Sequence, residues 1–177
     1  MGYSYSQDDQ RMCFNGAKSW QLGWYSDKSI QIGGTGGEAC FEGDLYGISD
    51  YGLAAASTVL VKIDNGSGVT EYVAFNRNNG INSQTAEGAN QVLVTSRLAG
   101  TGYAESELEA KMIVTTATYT AVAGMKVNVL SIANDASGNL KASVVISSTG
   151  LAGSCTTGTP EVSFISSLCL TRCNTVK

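Results

Sequence analysis

Thr58-Val59-Leu60-Val61-Lys62-Ile63, then Asp64-Asn65-Gly66-Ser67-Gly68, then Glu71-Tyr72-Val73-Ala74-Phe75, is the stretch on which the fold turns. Two runs rich in β-branched and aromatic residues flank a cluster of turn formers. Asn-Gly tolerates the positive φ that a tight turn demands, so the segment predicts a β-hairpin. The pattern recurs downstream, where Lys126-Val127-Asn128-Val129-Leu130-Ser131-Ile132 and Lys141-Ala142-Ser143-Val144-Val145-Ile146 flank Asn134-Asp135-Ala136-Ser137-Gly138-Asn139. Ser29-Ile30-Gln31-Ile32, residues 91–96 and residues 111–115 carry further strand patterns. Short strands at regular spacing, with a single proline and many turn residues, predict a mainly β chain with an antiparallel, sandwich-like domain. No repeat of fixed period stands out.

Composition narrows the function classes. The chain has 177 residues, enough for one sizeable domain. Its net charge is −4 and its eleven Lys and Arg residues are scattered, which argues against nucleic acid as a partner. Charged residues make up only 15%, against many Gly, Ser, Thr, Ala and Asn, the texture of a secreted β-protein. No apolar run reaches the length of a membrane helix, so no membrane association is expected. The start is polar and acidic rather than a signal peptide.

Several motifs reduce to simpler structure. Gly33-Gly34-Thr35-Gly36-Gly37 lacks the Lys and Ser/Thr of a phosphate loop and reads as a turn. Asp135-Ala136-Ser137-Gly138-Asn139 resembles part of a calcium loop but lacks the bidentate acid and the spacing, leaving a hairpin turn. Glu105, Glu107 and Glu109 form an alternating, solvated face. The absence of histidine removes Ser-His-Asp and Cys-His catalysis. A serine-lysine arrangement stays open. The five cysteines at 13, 40, 155, 169 and 173 allow up to two disulfides with one left over. Cys169 and Cys173 are half of a metal site at most, because a structural zinc needs four ligands. Asn65-Gly66-Ser67 is a glycosylation sequon on a predicted exposed turn, usable in the secretory pathway.

Before the strands, Ser6, Asp8 and Asp9 supply capping side chains and negative charge for a helix start. Cys13, Ala17, Trp20 and Trp24 follow at offsets of four, three and four, one helical face, with Gly23 as terminator. The apolar face of that helix is expected to be poorly anchored in this chain. Met1-Gly2 with Ser6 also meets the pattern for amino-terminal myristoylation, but Asp8 and Asp9 carry the wrong sign for an anionic leaflet.

Met1-Gly2-Tyr3-Ser4-Tyr5-Ser6 followed by Met12-Cys13-Phe14-Asn15-Gly16-Ala17-Lys18-Ser19-Trp20-Gln21-Leu22-Gly23-Trp24-Tyr25 resembles the downstream end of the catalytic domain in the gametolysin family of zinc metallopeptidases, a branch of the metzincins. Asn76-Arg77-Asn78-Asn79-Gly80-Ile81-Asn82-Ser83 and Glu87-Gly88-Ala89-Asn90-Gln91-Val92 are similar to a later segment of the same proteins. The resemblance covers Met1 to about Cys155 and fades after Pro160. It implies a division into residues 1–32, the end of a catalytic domain, residues 38–155, a β-rich domain, and residues 156–177, a tail. Metzincins hold zinc with a His-Glu-x-x-His-x-x-Gly-x-x-His segment upstream of a methionine turn, and the chain is expected to begin at that turn. The resemblance assigns Met1 to the turn, an apolar floor beneath the metal. It places Tyr3 where a phenol can stabilise the oxyanion of the tetrahedral intermediate. Zinc is then a cofactor of a longer protein and not of this chain, which lacks the ligands. The implied activity is secreted, extracellular cleavage of matrix or cell-wall protein, with this portion inactive alone. The alternative is a non-enzymatic β-module that binds protein or glycan.

Overall fold

The computed structural model describes residues 13–155, apart from 53–56, 67, 99–101, 103 and 154. It holds one α-helix, α1 (Gly16–Gln21), and nine strands. The strands are β1 (Ser29–Gly33), β2 (Phe41–Tyr46), β3 (Leu60–Asp64), β4 (Val69–Asn76), β5 (Gln91–Leu98), β6 (Glu107–Met112), β7 (Tyr119–Thr120), β8 (Lys126–Asn134) and β9 (Leu140–Ser147). Among the described residues the chain is mainly β, with two sheets and one short helix.

Both expected hairpins are present. β3 and β4 pair antiparallel with Leu60 opposite Ala74, and β8 and β9 pair with Val127 opposite Ile146. The first sheet runs β1-β3-β4-β5-β6 and the second β2-β9-β8-β7. One ladder departs from the antiparallel expectation: β1 lies parallel to β3, Ser29 opposite Leu60. The cause is topological. The chain leaves β1, contributes β2 to the other sheet, and returns to β3 in the first, which reverses the usual hairpin sense.

Alternation along the strands places the core. Val61 and Ile63 of β3, Val73 and Phe75 of β4, and Val92 and Val94 of β5 point to one side. They share a single apolar cluster with Phe41 and Leu45 of β2, Val127 and Val129 of β8, and Ala142, Val144 and Ile146 of β9. The two sheets are therefore joined through their inner faces. Glu71 also points inward and is only 4% exposed. It accepts one hydrogen bond from the Tyr119 hydroxyl on the other sheet and one from the Val122 N–H, each 2.5 Å.

The opposite face of the first sheet carries α1. Leu60, Tyr72 and Ala74 meet Ala17, which is fully buried, with Trp20 packed alongside. The approach is close, for a Cβ added at Gly16 would come within 2.9 Å of Leu60 Cδ1 and 3.3 Å of Tyr72 Cβ. The expectation of a poorly anchored helix is corrected here, because sheet residues cover its apolar face.

The helix is also shorter than its pattern predicts. Asn15 is the N-cap, its side chain accepting from the Lys18 N–H, and residues 13–15 are not helical. Asn15 caps α1, and Ser6, Asp8 and Asp9, expected as capping residues, lie outside the described residues. Gly23 does end the helix. It takes φ +70°, while its own N–H reaches Trp20 O and the Trp24 N–H reaches Ser19 O, the paired bonds of a Schellman stop. Cys13 and Trp24 consequently fall outside the helix, and only Ala17 and Trp20 of the expected face dock on the sheet. Among the described residues no helix is long and apolar enough to cross a membrane.

Candidate functional site

Met1 and Tyr3, the residues assigned to the methionine turn and the oxyanion, lie outside the described residues, as do Cys169 and Cys173. Asn65 is exposed on the β3–β4 turn. Cys40 and Cys155 form a disulfide, and Cys13 carries a free thiol. Burial pushes that thiol up to about 11, so it is a poor nucleophile at neutral pH. The chain has no histidine, and no group of three or more Cys, Asp or Glu converges among the described residues.

The carboxylates are engaged in structure. Asp135 accepts from the backbone N–H groups of Ser137 and Asn139, each at 2.8 Å, and from the Tyr46 hydroxyl at 3.2 Å. That pattern stabilises the β8–β9 turn and uses the oxygens a calcium ion would need. Glu107 and Glu109 sit on β6, a strand that begins before the segment 111–115 expected for it. Lys28 Nζ donates to Ser57 Oγ at 3.1 Å, so a serine-lysine contact is present, and a second pair is arrested at Asp44. Lys141 Nζ is bonded to Asp44 Oδ2, and Ser143 Oγ donates to Asp44 Oδ1 at 2.5 Å. The bond to Asp44 raises the Lys141 pKa, so the amine stays protonated and cannot act as a base for Ser143.

Aromatic side chains converge around the stop of α1. The Schellman turn throws Trp24 outward, and Tyr25 follows in the left-handed region at φ +62°. That conformation is costly for an aromatic residue. It opens the 3-10 turn Ser26–Lys28. The outcome is a row of four rings, Phe14, Trp24, Tyr25 and Tyr51. Successive centroids are 5.6, 6.4 and 5.0 Å apart. Phe14 is 36%, Trp24 46% and Tyr51 37% exposed.

Tyr51 is fixed from three sides. Its hydroxyl donates to Asp27 at 2.8 and 2.9 Å, Lys28 Nζ stands 4.9 Å from its ring centre, and Tyr25 abuts its ring. The bond to Asp27 is the first cause of its raised pKa. Sequence reasoning missed this row because it counted Trp24 as part of the buried helical face. The signal was available: Trp24-Tyr25 follows the glycine that ends the helix.

Beside the row, the loop after β4 is built on asparagine side chains. Asn82 is buried, donates to Asn76 Oδ1 at 2.8 Å and to Arg77 O at 2.9 Å, and accepts from the Cys13 N–H at 2.8 Å. Arg77 pairs with the buried Asp50 at 2.7 Å. A cavity of about 20 Å³ between Asn15, Asn76 and Asn82 has room for roughly one water molecule and no substrate. The loop is thus a fastening for the chain that enters α1. The two stretches quoted for the family resemblance meet here, through the Cys13 N–H on Asn82 and where Phe14 and Asn15 line the cavity with Asn76 and Asn82.

Comparisons of the chain with protein-family models, with curated proteins and with solved structures find no match. The gametolysin resemblance therefore stands on the quoted residues alone.

Proposed function

We propose that this chain is the carboxy-terminal part of a gametolysin-like, secreted zinc metalloendopeptidase that cleaves extracellular-matrix or cell-wall proteins, and that it is inactive alone. The observation that carries the reading is the hydrogen bond from the Cys13 N–H to Asn82, beside the cavity that Phe14 and Asn15 line with Asn76, which supports the two resembling stretches having been kept as one unit. In this reading residues 1–32 belong to the catalytic part, with Met1 as floor of the methionine turn and Tyr3 as a hydrogen-bond donor to the oxyanion. The chain itself brings no histidine to a metal. Its contribution is mechanical: α1, seated on the first sheet of a sandwich-like domain, would hold the turn region against a rigid support.

The test has two arms. The purified chain should leave casein and gelatin uncut with or without added zinc. The native protein, captured through its β-rich part and mapped by peptide mass spectrometry, should carry a His-Glu-x-x-His-x-x-Gly-x-x-His segment ahead of Met1. Chelator-sensitive cleavage by the chain alone, or a native product lacking that segment, would refute the proposal.

The exposed aromatic row favours a second reading, a non-enzymatic β-module that binds protein or glycan. Phe14, Trp24 and Tyr51 are each more than a third exposed.

A further inference from the structure

We infer that Asn65 is a site of spontaneous main-chain modification, converted through a cyclic imide to aspartate and isoaspartate, and that the fold presents this Asn-Gly pair while shielding the others. The inference goes beyond both functional readings and depends on neither. Asn-Gly occurs three times, at Asn15-Gly16, Asn65-Gly66 and Asn79-Gly80. The chemistry is the same at each. The glycine nitrogen attacks the asparagine Cγ, an N–Cγ bond forms, and the Cγ–Nδ2 bond breaks. Ammonia leaves with the proton that the glycine nitrogen gives up. Water then opens the imide. Addition at Cγ yields aspartate, and addition at the main-chain carbonyl yields isoaspartate, with the backbone rerouted through Cγ. Glycine favours the step because no Cβ obstructs its nitrogen or limits the backbone angles that ring closure needs. What differs among the three pairs is the cost of bringing the two atoms together.

At the first pair that cost is high. Asn15 caps α1: its Oδ1 accepts from the Lys18 N–H at 3.0 Å, and its Nδ2 donates to Ser106 Oγ at 3.0 Å. Gly16 is buried against Leu60 and Tyr72. Closure there would uncap the helix. At the third pair Asn79 is exposed but its peptide is pinned. Its N–H donates to Arg77 O at 3.1 Å, and its carbonyl accepts from the Asn82 N–H at 2.9 Å. A Cβ at Gly80 would meet Ser49 Cβ at 3.6 Å, in the 3-10 turn Ile48–Asp50. Turning the Asn79–Gly80 peptide would disrupt the 3-10 turn Gly80–Asn82, which the buried Asn82 ties to Asn76, Arg77 and Cys13.

The second pair is placed differently. Asn65, Gly66 and Gly68 are exposed on the β3–β4 turn, and a Cβ at either glycine would meet nothing within 4 Å. The Gly66 N–H donates to Asp64 Oδ1 at 2.8 Å, an exposed bond that water can replace when the turn opens locally. The last rung of the ladder is Asp64 opposite Thr70, so the turn can open without breaking a rung. Either product adds a carboxylate to a chain of net charge −4, beside an Asp64 that already pairs with Lys62 at 2.6 Å. Isoaspartate also lengthens the main chain of the turn by a methylene. Both products lack the amide nitrogen that the sequon Asn65-Gly66-Ser67 offers for glycosylation.

The experiment incubates the whole chain at mildly alkaline pH, folded and, in parallel, unfolded in guanidinium chloride. Samples drawn over days are digested and mapped by mass spectrometry with electron-transfer fragmentation, which separates aspartate from isoaspartate. Expected in the folded chain is loss of the amide at Asn65 at least about tenfold faster than at Asn15 or Asn79, the factor that holding one hydrogen bond closed would give. In guanidinium chloride the three rates should converge. Asn65→Gln should stop conversion at that position and leave the rates at Asn15 and Asn79 as they were. Equal rates at the three pairs of the folded chain, an unmodified Asn65, or a preference for Asn65 that persists unchanged on unfolding overturns the inference. The last result would assign the preference to neighbouring residues rather than to the fold.

Discussion

Replacing Glu71 with alanine removes the one buried carboxylate that receives bonds from both the opposite sheet and the turn beside it. Two hydrogen bonds of 2.5 Å disappear, one from the Tyr119 hydroxyl and one from the Val122 N–H. A hydrogen bond to a charged acceptor contributes about 1.5–3 kcal/mol. Two effects reduce the sum. Burying a carboxylate costs free energy that the alanine variant is spared. The Tyr119 ring is only partly buried, so its hydroxyl can turn towards water. The net loss should be about 2–4 kcal/mol, a large part of a typical stability of roughly 5–15 kcal/mol. For a domain of this size it corresponds to a melting temperature lower by about 5–15 °C. Glu71→Gln keeps an acceptor oxygen of the same shape and should lose about half as much.

A pH series adds an independent readout. Burial first, and then the bond to Glu71, raise the Tyr119 pKa above its ordinary value of 10.0. The stability this phenol contributes is whole below that value and is lost as pH climbs from it towards the folded-state pKa. Calorimetry of the wild type should show melting temperature falling above about pH 10. The fall should be smaller in Glu71→Ala and smaller still in Tyr119→Phe. An alanine variant that melts within about 1 °C of wild type, with an unchanged alkaline decline, would refute this account of how the sheets are tied.

Two further outcomes follow from the cysteines. The Cys40–Cys155 disulfide spans 115 residues and holds the segment whose Gly153 N–H bonds to Glu42. Reduction should cost about 2–4 kcal/mol, seen as a melting point lower by roughly 5–15 °C in thermal scans with and without a phosphine reductant; an unchanged scan would contradict it. Cys13, its pKa pushed up to about 11 by burial, is thiolate in roughly one molecule in a thousand at pH 8. Peptide mapping after iodoacetamide should show it labelling far more slowly in the folded protein than in urea. Equal rates would sink that expectation.

How much was legible in advance varied with the physics of each element. The β3–β4 and β8–β9 hairpins were readable because Asn-Gly and Asp-x-x-Gly turns sit between alternating runs, and both turn and alternation are local. β2 was missed. Phe41-Glu42-Gly43-Asp44-Leu45-Tyr46 has no β-branched residue, and it is a strand only because β9 lies beside it and Lys141 meets Asp44. Two-residue β7 carries no pattern at all and forms by pairing with Lys126 and Val127. β6 was placed too late, although Glu107 and Glu109 were read as a solvated face on a loop or strand edge and do lie on an exposed edge strand. Charges there discourage further pairing. The helix pattern was real at Ala17 and Trp20 but was carried past both its ends, since spacing cannot tell a helical residue from one just beyond a glycine stop. The aromatic row escaped for the same reason. The disulfide pairing depends on distant segments meeting and had no local signal.

The partnership of β2 with β9 also bears on how the molecule is made. Phe41 waits for Ile146, which leaves the ribosome roughly one hundred residues later, an interval of about 5–20 s at ordinary elongation rates. Throughout it, the nascent second sheet lacks its middle, and Cys40 has no partner but Cys13 among the described cysteines already synthesised. Vectorial synthesis thus opens a window for a wrong cross-link between two early thiols, and makes β9 the late arrival that closes it.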